Sequence, residues 1–168
     1  MKIKKILKRI LKREAKIDEL QRKGLIIDDT SIVTCYSPNG IDGVFPWLIE
    51  IGKNVIISTE CNILAHDASL ANICGFSKIG RVNIGNNVYL GNGVTVLPGV
   101  SIGDNVIVGA KSLVTKDLNP NSVYVGIPAK YICSIDDFMK KHKKLKDNTI
   151  FFDKNFLYWQ KASMDEKN

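Results

Sequence analysis

Ile84, Leu90, Val96, Ile102, Val108 and Val114 recur at strict six-residue intervals, and the four middle intervals are dressed with Gly, Asn, Asp or Pro. A period of six fits neither an α-helix nor an ordinary strand pair; it is the signature of a β-solenoid. The run reads IGNNVY, LGNGVT, VLPGVS, IGDNVI, VGAKSL. Each unit supplies an inward aliphatic residue, a small residue at a turn, and a second small apolar residue such as Val88, Val94, Val100 or Val106. Alternation along a short strand lets two apolar residues per hexad face inward, while Gly85, Gly91, Gly103 and Gly109 are expected in turn geometry that a Cβ would hinder. Three hexads make one coil, so Ile84 and Ile102, or Val96 and Val114, are expected to stack at about 4.8 Å.

The frame extends upstream through hexads starting at Ile51, Ile57 and Ile63, with Val55 and Cys61 in the small slot. It breaks from Ser69 to Val82, which predicts a loop leaving the solenoid at 69–82 with His66 just before it. Protruding loops on rigid scaffolds are common places for sites.

Charge is unevenly placed. Lys2, Lys4, Lys5, Lys8, Arg9, Lys12 and Arg13 account for the net charge of +7, leaving the rest of the chain balanced. Ile3, Ile6, Leu7, Ile10 and Leu11 form one apolar stripe among these cations, predicting a basic amphipathic helix within residues 1–23. That helix either caps the solenoid or lies on an anionic membrane surface through residues 1–20. A nucleic-acid partner is disfavoured, because the cations lack interleaved aromatics and any known binding motif. The four cysteines, Cys35, Cys61, Cys74 and Cys133, have no metal-finger spacing, and no apolar run is long enough to span a bilayer; a reduced, cytoplasmic setting is expected. The solenoid domain is expected over 24–133, followed at 134–168 by a short helix with acids in its first turn and an aromatic tail, Phe151 to Trp159.

The segment IGNNVYLGNGVTVLPGVSIGDNVIVGAKSLVTKDLNPNSVYVGIPAKYI resembles the terminal coils of the hexapeptide-repeat acyltransferases, which include galactoside, maltose, serine, xenobiotic and surface-polysaccharide acetyltransferases. With the earlier hexads the resemblance covers residues 49–132. It implies an all-β, left-handed parallel β-helix, to which the residue pattern adds the protruding loop, the N-terminal helix and the short helical C-terminal extension, the two ends lying outside the resemblance. It also implies a homotrimer with acetyl-CoA lying between subunits, and no required metal.

The resemblance further implies that His66 is the general base, taking a proton from an acceptor as it attacks the acetyl thioester directly. Imidazole is well matched to that task near neutral pH. Asp67 follows it, as in the His-Asp pair of many relatives, yet an adjacent residue on an extended chain points the other way. Asp42, in Asn-Gly-Ile-Asp-Gly, is a second candidate, either as a partner of His66 or as an acceptor ligand. Positions matching the family's acetyl-CoA contacts are Tyr89, where many members have Trp, Asn92, Ala110, Thr115, Lys116 and Lys130. Ser112 has no neighbouring base, which argues against covalent serine catalysis.

Together these imply acetyl transfer to a sugar hydroxyl of a surface polysaccharide or its precursor, in the cytoplasm or at the inner face of the membrane. The alternatives are a small-molecule acetyltransferase for serine, an antibiotic or an amino sugar, and a non-catalytic solenoid scaffold. Zinc-dependent hydration needs three His ligands, and the sequence holds only His66 and His142.

Overall fold

The computed structural model describes residues 16–33 and 40–145. The apolar stripe from Ile3 to Leu11, Cys35 and the aromatic tail lie outside the described residues. Two compact units divide at Ile135 and Asp136.

The first unit is an all-β, left-handed parallel β-helix. Successive coils lay short strands on three stacks. The first stack contains β1 (Ile26–Ile27), β3 (Ile49–Ile51), β8 (Val82–Ile84) and β11 (Ser101–Ile102). The second contains β2 (Ile32–Val33), β4 (Ile56–Ile57), β9 (Tyr89–Leu90), β12 (Val106–Val108) and β14 (Ser122–Val125). The third contains β5 (Asn62–Ile63), β10 (Thr95–Val96) and β13 (Leu113–Val114).

The register answers the sequence period. Ile84 pairs with Ile102, Leu90 with Val108 and Val96 with Val114, each one three-hexad coil apart. One coil earlier, Ile51 pairs with Ile84, Ile57 with Leu90 and Ile63 with Val96. These separations are wider than three hexads but equal on all three stacks, so extra chain enters between the two coils without disturbing any pairing. The inward aliphatics and the small slots, Val55, Cys61, Val88, Val94 and Val106, form one buried core.

Residues 16–22 are helical (α1), with Leu20 buried in that core and Ile17 packed against it. This described part of the N-terminal helix therefore closes the first coil, as solenoid ends require. At the other end β15 (Lys130–Ser134) turns back antiparallel to β14 and covers that sheet edge. The second unit includes most of helix α3 (Ile135–Leu145), where Asp136 and Asp137 occupy the first turn and the Phe138 and His142 rings lie 4.0 Å apart.

The hexad glycines stand where a Cβ would be hindered, as expected, and the hindrance comes from the neighbouring coil. Gly85, Gly91, Gly103 and Gly109 do not have positive φ. A Cβ on Gly91 would instead come within 2.6 Å of the Ala110 nitrogen in the next coil. Close backbone approach, not left-handed turning, demands glycine there. Along one corner the left-handed turns fall to asparagine: Asn54, Asn87, Asn105 and Asn121 all have φ between 54° and 57°. Their amides join in a ladder, Asn54 Nδ2 to Asn87 Oδ1 at 3.2 Å, Asn87 to Asn105 at 3.1 Å and Asn105 to Asn121 at 2.8 Å. Asn tolerates this backbone region better than most residues, and the ladder satisfies the side chains.

The excursion begins earlier than the expected 69–82. Ala65 is fully buried in the core, and the chain then leaves through β6 (His66–Asp67), α2 (Ala71–Cys74) and β7 (Lys78–Ile79). β6 and β7 pair antiparallel, and Gly80 N–H donates to Ala65 O at 3.0 Å where the chain returns. Leu70, Ile73, Phe76 and Ile79 are exposed on this excursion.

Candidate active site

A parallel bridge between Ile41 and Ile63 brings the segment after Ile41 alongside the end of the next coil. Asp42 N–H donates to Ile63 O at 2.9 Å, and the Asp42 side chain is buried at the mouth of the excursion. Its Oδ2 accepts the Ala65 N–H at 2.9 Å and meets His66 Nδ1 at 2.5 Å. Its Oδ1 accepts the N–H groups of Val44 at 2.9 Å and Phe45 at 3.2 Å. Burial pushes the Asp42 pKa up, but the bonds from His66, Val44, Ala65 and Phe45 outweigh it and hold the carboxyl below its ordinary range.

An ionised carboxylate only accepts, so the Nδ1 of His66 carries its hydrogen toward Asp42. Nε2 is then the nitrogen with a lone pair, and it has no hydrogen-bond partner among the described residues. The side chain is about one-third exposed, so an external group can reach it. The Phe45 ring sits 5.4 Å from the His66 ring, and Trp47 packs edge-on against Phe45 at 5.4 Å.

Asp67 is turned elsewhere. Its Oδ1 accepts the Ser69 N–H at 2.9 Å, and that bond is the main reason its pKa is lowered. Of the two carboxylates considered from sequence, the structure brings Asp42 onto the imidazole and leaves Asp67 closing the turn of the excursion.

The remaining candidates occupy other corners and faces. Tyr89 projects from the second sheet, where its hydroxyl accepts from Ser58 Oγ at 3.4 Å. Asn92 Nδ2 donates to Thr59 Oγ1 at 2.6 Å, and its carbonyl accepts the Lys111 N–H at 2.8 Å, which stacks Asn92 beside Ala110 in the next coil. Thr115 and Lys116 follow β13 on the next corner. The IPAK turn is tied to the same strand, because Ala129 N–H donates to Leu113 O at 2.8 Å, and Lys130 follows it. Lys116 and Lys130 are exposed and make no ion pair among the described residues. Ser112 is buried, its hydroxyl donating to Gly109 O at 2.7 Å while accepting the Gly126 N–H at 3.0 Å, a role in fixing the last turn. No group of three or more metal-ligating side chains occurs among the described residues.

Phe45 is not legible as a site residue from the sequence. Its only signal is its place shortly after Asp42, within a turn that the same carboxylate fixes.

The fold and site define a class: a hexad-built β-helix whose excursion opens on a histidine oriented by a buried carboxylate. Residues 81–116 match the family model described as bacterial transferase hexapeptide (six repeats). A protein of Staphylococcus aureus strain MRSA252, named provisionally as an acetyltransferase, is 33% identical over 83% of this chain and 77% of its own length. The galactoside O-acetyltransferase of Escherichia coli strain K12 is 50% identical over 62% of this chain and 52% of its own. The crystal structure of a maltose O-acetyltransferase from Clostridium difficile 630 superposes with a TM-score of 0.55 at 33% identity, covering 72% of this chain and 75% of that one. The chain thus spans between about half and three-quarters of the length of these relatives. It belongs to the hexapeptide-repeat acetyltransferase family.

Proposed function

We propose that this chain is an acetyl-CoA-dependent O-acetyltransferase that acylates a sugar hydroxyl of a surface polysaccharide or its precursor, with His66 as general base. The observation that carries this reading is the Asp42–His66 pair, which leaves Nε2 available at the mouth of the excursion. An alcohol is a weak nucleophile until its proton is taken, and Nε2 receives that proton as the oxygen attacks. Asp42 holds the ring in the required tautomer and steadies the imidazolium that forms. Acetyl-CoA supplies the activated acetyl group.

The residues present suit such a co-substrate. Ala110 leaves its corner open to close approach by pantetheine amides, with Asn92 and Tyr89 nearby in the stack. Lys116 and Lys130 offer cations, and Thr115 a neutral hydroxyl, for the adenosine phosphates. A sugar acceptor is favoured by the names of the relatives, which act on a galactoside and on maltose.

In this reading 1–23 is a cap, 24–133 the transferase domain and 134–168 an extension. The protein works as a homotrimer with sites between subunits. The outward column Ile32, Ile56, Tyr89 and Ile107 on the second stack supports that assembly, since the corresponding column of the first stack begins with Ile26 but continues as Glu50, Asn83 and Ser101. The alternative to the cap is that the cationic residues 1–20 hold the enzyme at the inner face of a membrane. No described helix is long and apolar enough to cross one.

The test is release of CoA from acetyl-CoA by the purified full chain across a panel of sugars, glycans and serine, with His66→Ala alongside. Acceptor-dependent release that falls about a hundredfold or more in the variant is expected. Absence of acetyl-CoA binding would overturn the proposal in favour of a scaffold.

A further inference from the structure

Trp47 is an anomaly on this surface. Tryptophan carries the largest apolar side chain, yet this one is 52% exposed although its backbone is firmly held. Pro46, at the start of the Pro46–Leu48 turn, is buried, and Leu48 N–H donates to Phe45 O at 3.1 Å. The main chain of Gly24 lies against the base of the indole so closely that a Cβ there would approach Trp47 Cβ to 2.8 Å. The anchor is fixed and the ring is presented.

It is presented beside the base. Phe45 packs against both rings, each centroid separation being 5.4 Å, so a single side chain links the indole to the imidazole. Both also depend on one carboxylate: Asp42 accepts from His66 through Oδ2 and from Val44 and Phe45, the start of the Trp47 turn, through Oδ1. The base and the indole therefore keep a set relation to one another.

We infer that Trp47 is the specificity-determining platform of this site, stacking on the C–H face of a pyranose ring whose hydroxyl then lies at His66. This rests on the acetyltransferase reading above and names the recognition element it needs. A pyranose has one polar rim and one flat face of C–H groups. A rigid indole binds such a face at little entropic cost, through contact area and the attraction of polarised C–H groups to the π-cloud. Serine has no such face, so the platform selects rings over linear hydroxy-acids.

The experiment compares wild type, Trp47→Ala and Trp47→Phe as full chains, with melting curves and sedimentation confirming that fold and assembly persist. For the sugar acetylated best, Trp47→Ala is expected to raise the acceptor KM roughly tenfold, with kcat and the acetyl-CoA KM nearly unchanged, and Trp47→Phe to recover most of the loss. In a Trp159→Phe background Trp47 is the one indole of the chain. There, maltose, methyl β-galactoside and N-acetylglucosamine are titrated against serine; a sugar, not serine, should change the emission without acetyl-CoA. An unchanged acceptor KM in Trp47→Ala overturns the inference, as does emission unresponsive to every sugar. A change in sedimentation with Trp47→Ala overturns it too, assigning the indole to contact with a second copy. Failure of acetyl-CoA to bind sinks the underlying enzymatic reading instead, and the fluorescence titration distinguishes the two.

Discussion

Asp42 Oδ2 meets His66 Nδ1 at 2.5 Å across a long stretch of chain, because the Ile41–Ile63 bridge lays the end of one coil against the next. The imidazole is therefore oriented by the scaffold, not by its sequence neighbour. Asp42→Asn should lower kcat about 10²- to 10⁴-fold while leaving the acetyl-CoA KM nearly unchanged, because the variant loses the charge opposite the imidazolium and can favour the wrong tautomer. Asp67→Asn should cost no more than a few-fold. Steady-state kinetics on the two variants checks the contrast; equal losses would return Asp67 to the chemistry.

The same carboxylate sets an acid limit on stability. Its folded pKa is lowered from the ordinary 3.8, so the unfolded chain binds the proton first. Its contribution is complete above about pH 4 and is lost as pH falls through the lowered folded value. Urea midpoints of wild type and Asp42→Asn should differ most at neutral pH and converge below about pH 4. A gap that stays constant on acidification would mean that the carboxylate charge is not what stabilises the turn.

Asn87 sits in the middle of the amide ladder, bonded on one side to Asn54 and on the other to Asn105. Asn87→Ala removes both bonds and puts a Cβ with no compensating polar group at φ 55°. The expected loss is about 1–3 kcal/mol by urea denaturation. Asn87→Gly should lose less, since glycine accepts the backbone conformation. Equal losses would show that the hydrogen bonds, not the dihedral, dominate.

Leu20 provides the test of the cap. Only 2% exposed within the core cluster, it should cost about 2–4 kcal/mol when cut to Ala. Arg22→Ala, on the exposed face of the same helix, should change the urea midpoint very little. A near-neutral Leu20→Ala would remove α1 from the fold's essential contacts and favour an independent role for the whole N-terminal segment.

The periodic parts of this fold are legible because a stacked coil repeats its requirements every three hexads. Ile84 over Ile102 and Val96 over Val114 are direct readings of that rule. The first coil, Ile26 to Ile41, escapes the frame because its strands pair with the next coil at a wider spacing, and that spacing changes between Val33 and Ile41. The start of the excursion is hidden for a different reason: Ile63 still opens a hexad and buried Ala65 follows it two residues on, so an apolar pattern persists up to the point where the chain departs. At the site, His66 stands out by chemistry and position. Its contact with Asp42 does not, because it is made between coils with irregular offsets, and adjacency in sequence offers Asp67 in its place. Phe45 and Trp47 belong to the same interruption, where no period exists to predict them.

The excursion meets the solenoid through a narrow doorway, Ala65 on the way out and Gly80 on the way back, latched by one hydrogen bond. Strands on either side keep their pairing across the added chain as if it were absent. The chain beyond the paired strands β6 and β7 is thus a detachable cassette. The length and composition of the segment between β6 and β7 can drift, or be exchanged by design, while the doorway, and His66 held at it by Asp42, remain where they are, so the surface beside the histidine can change without rebuilding the coil.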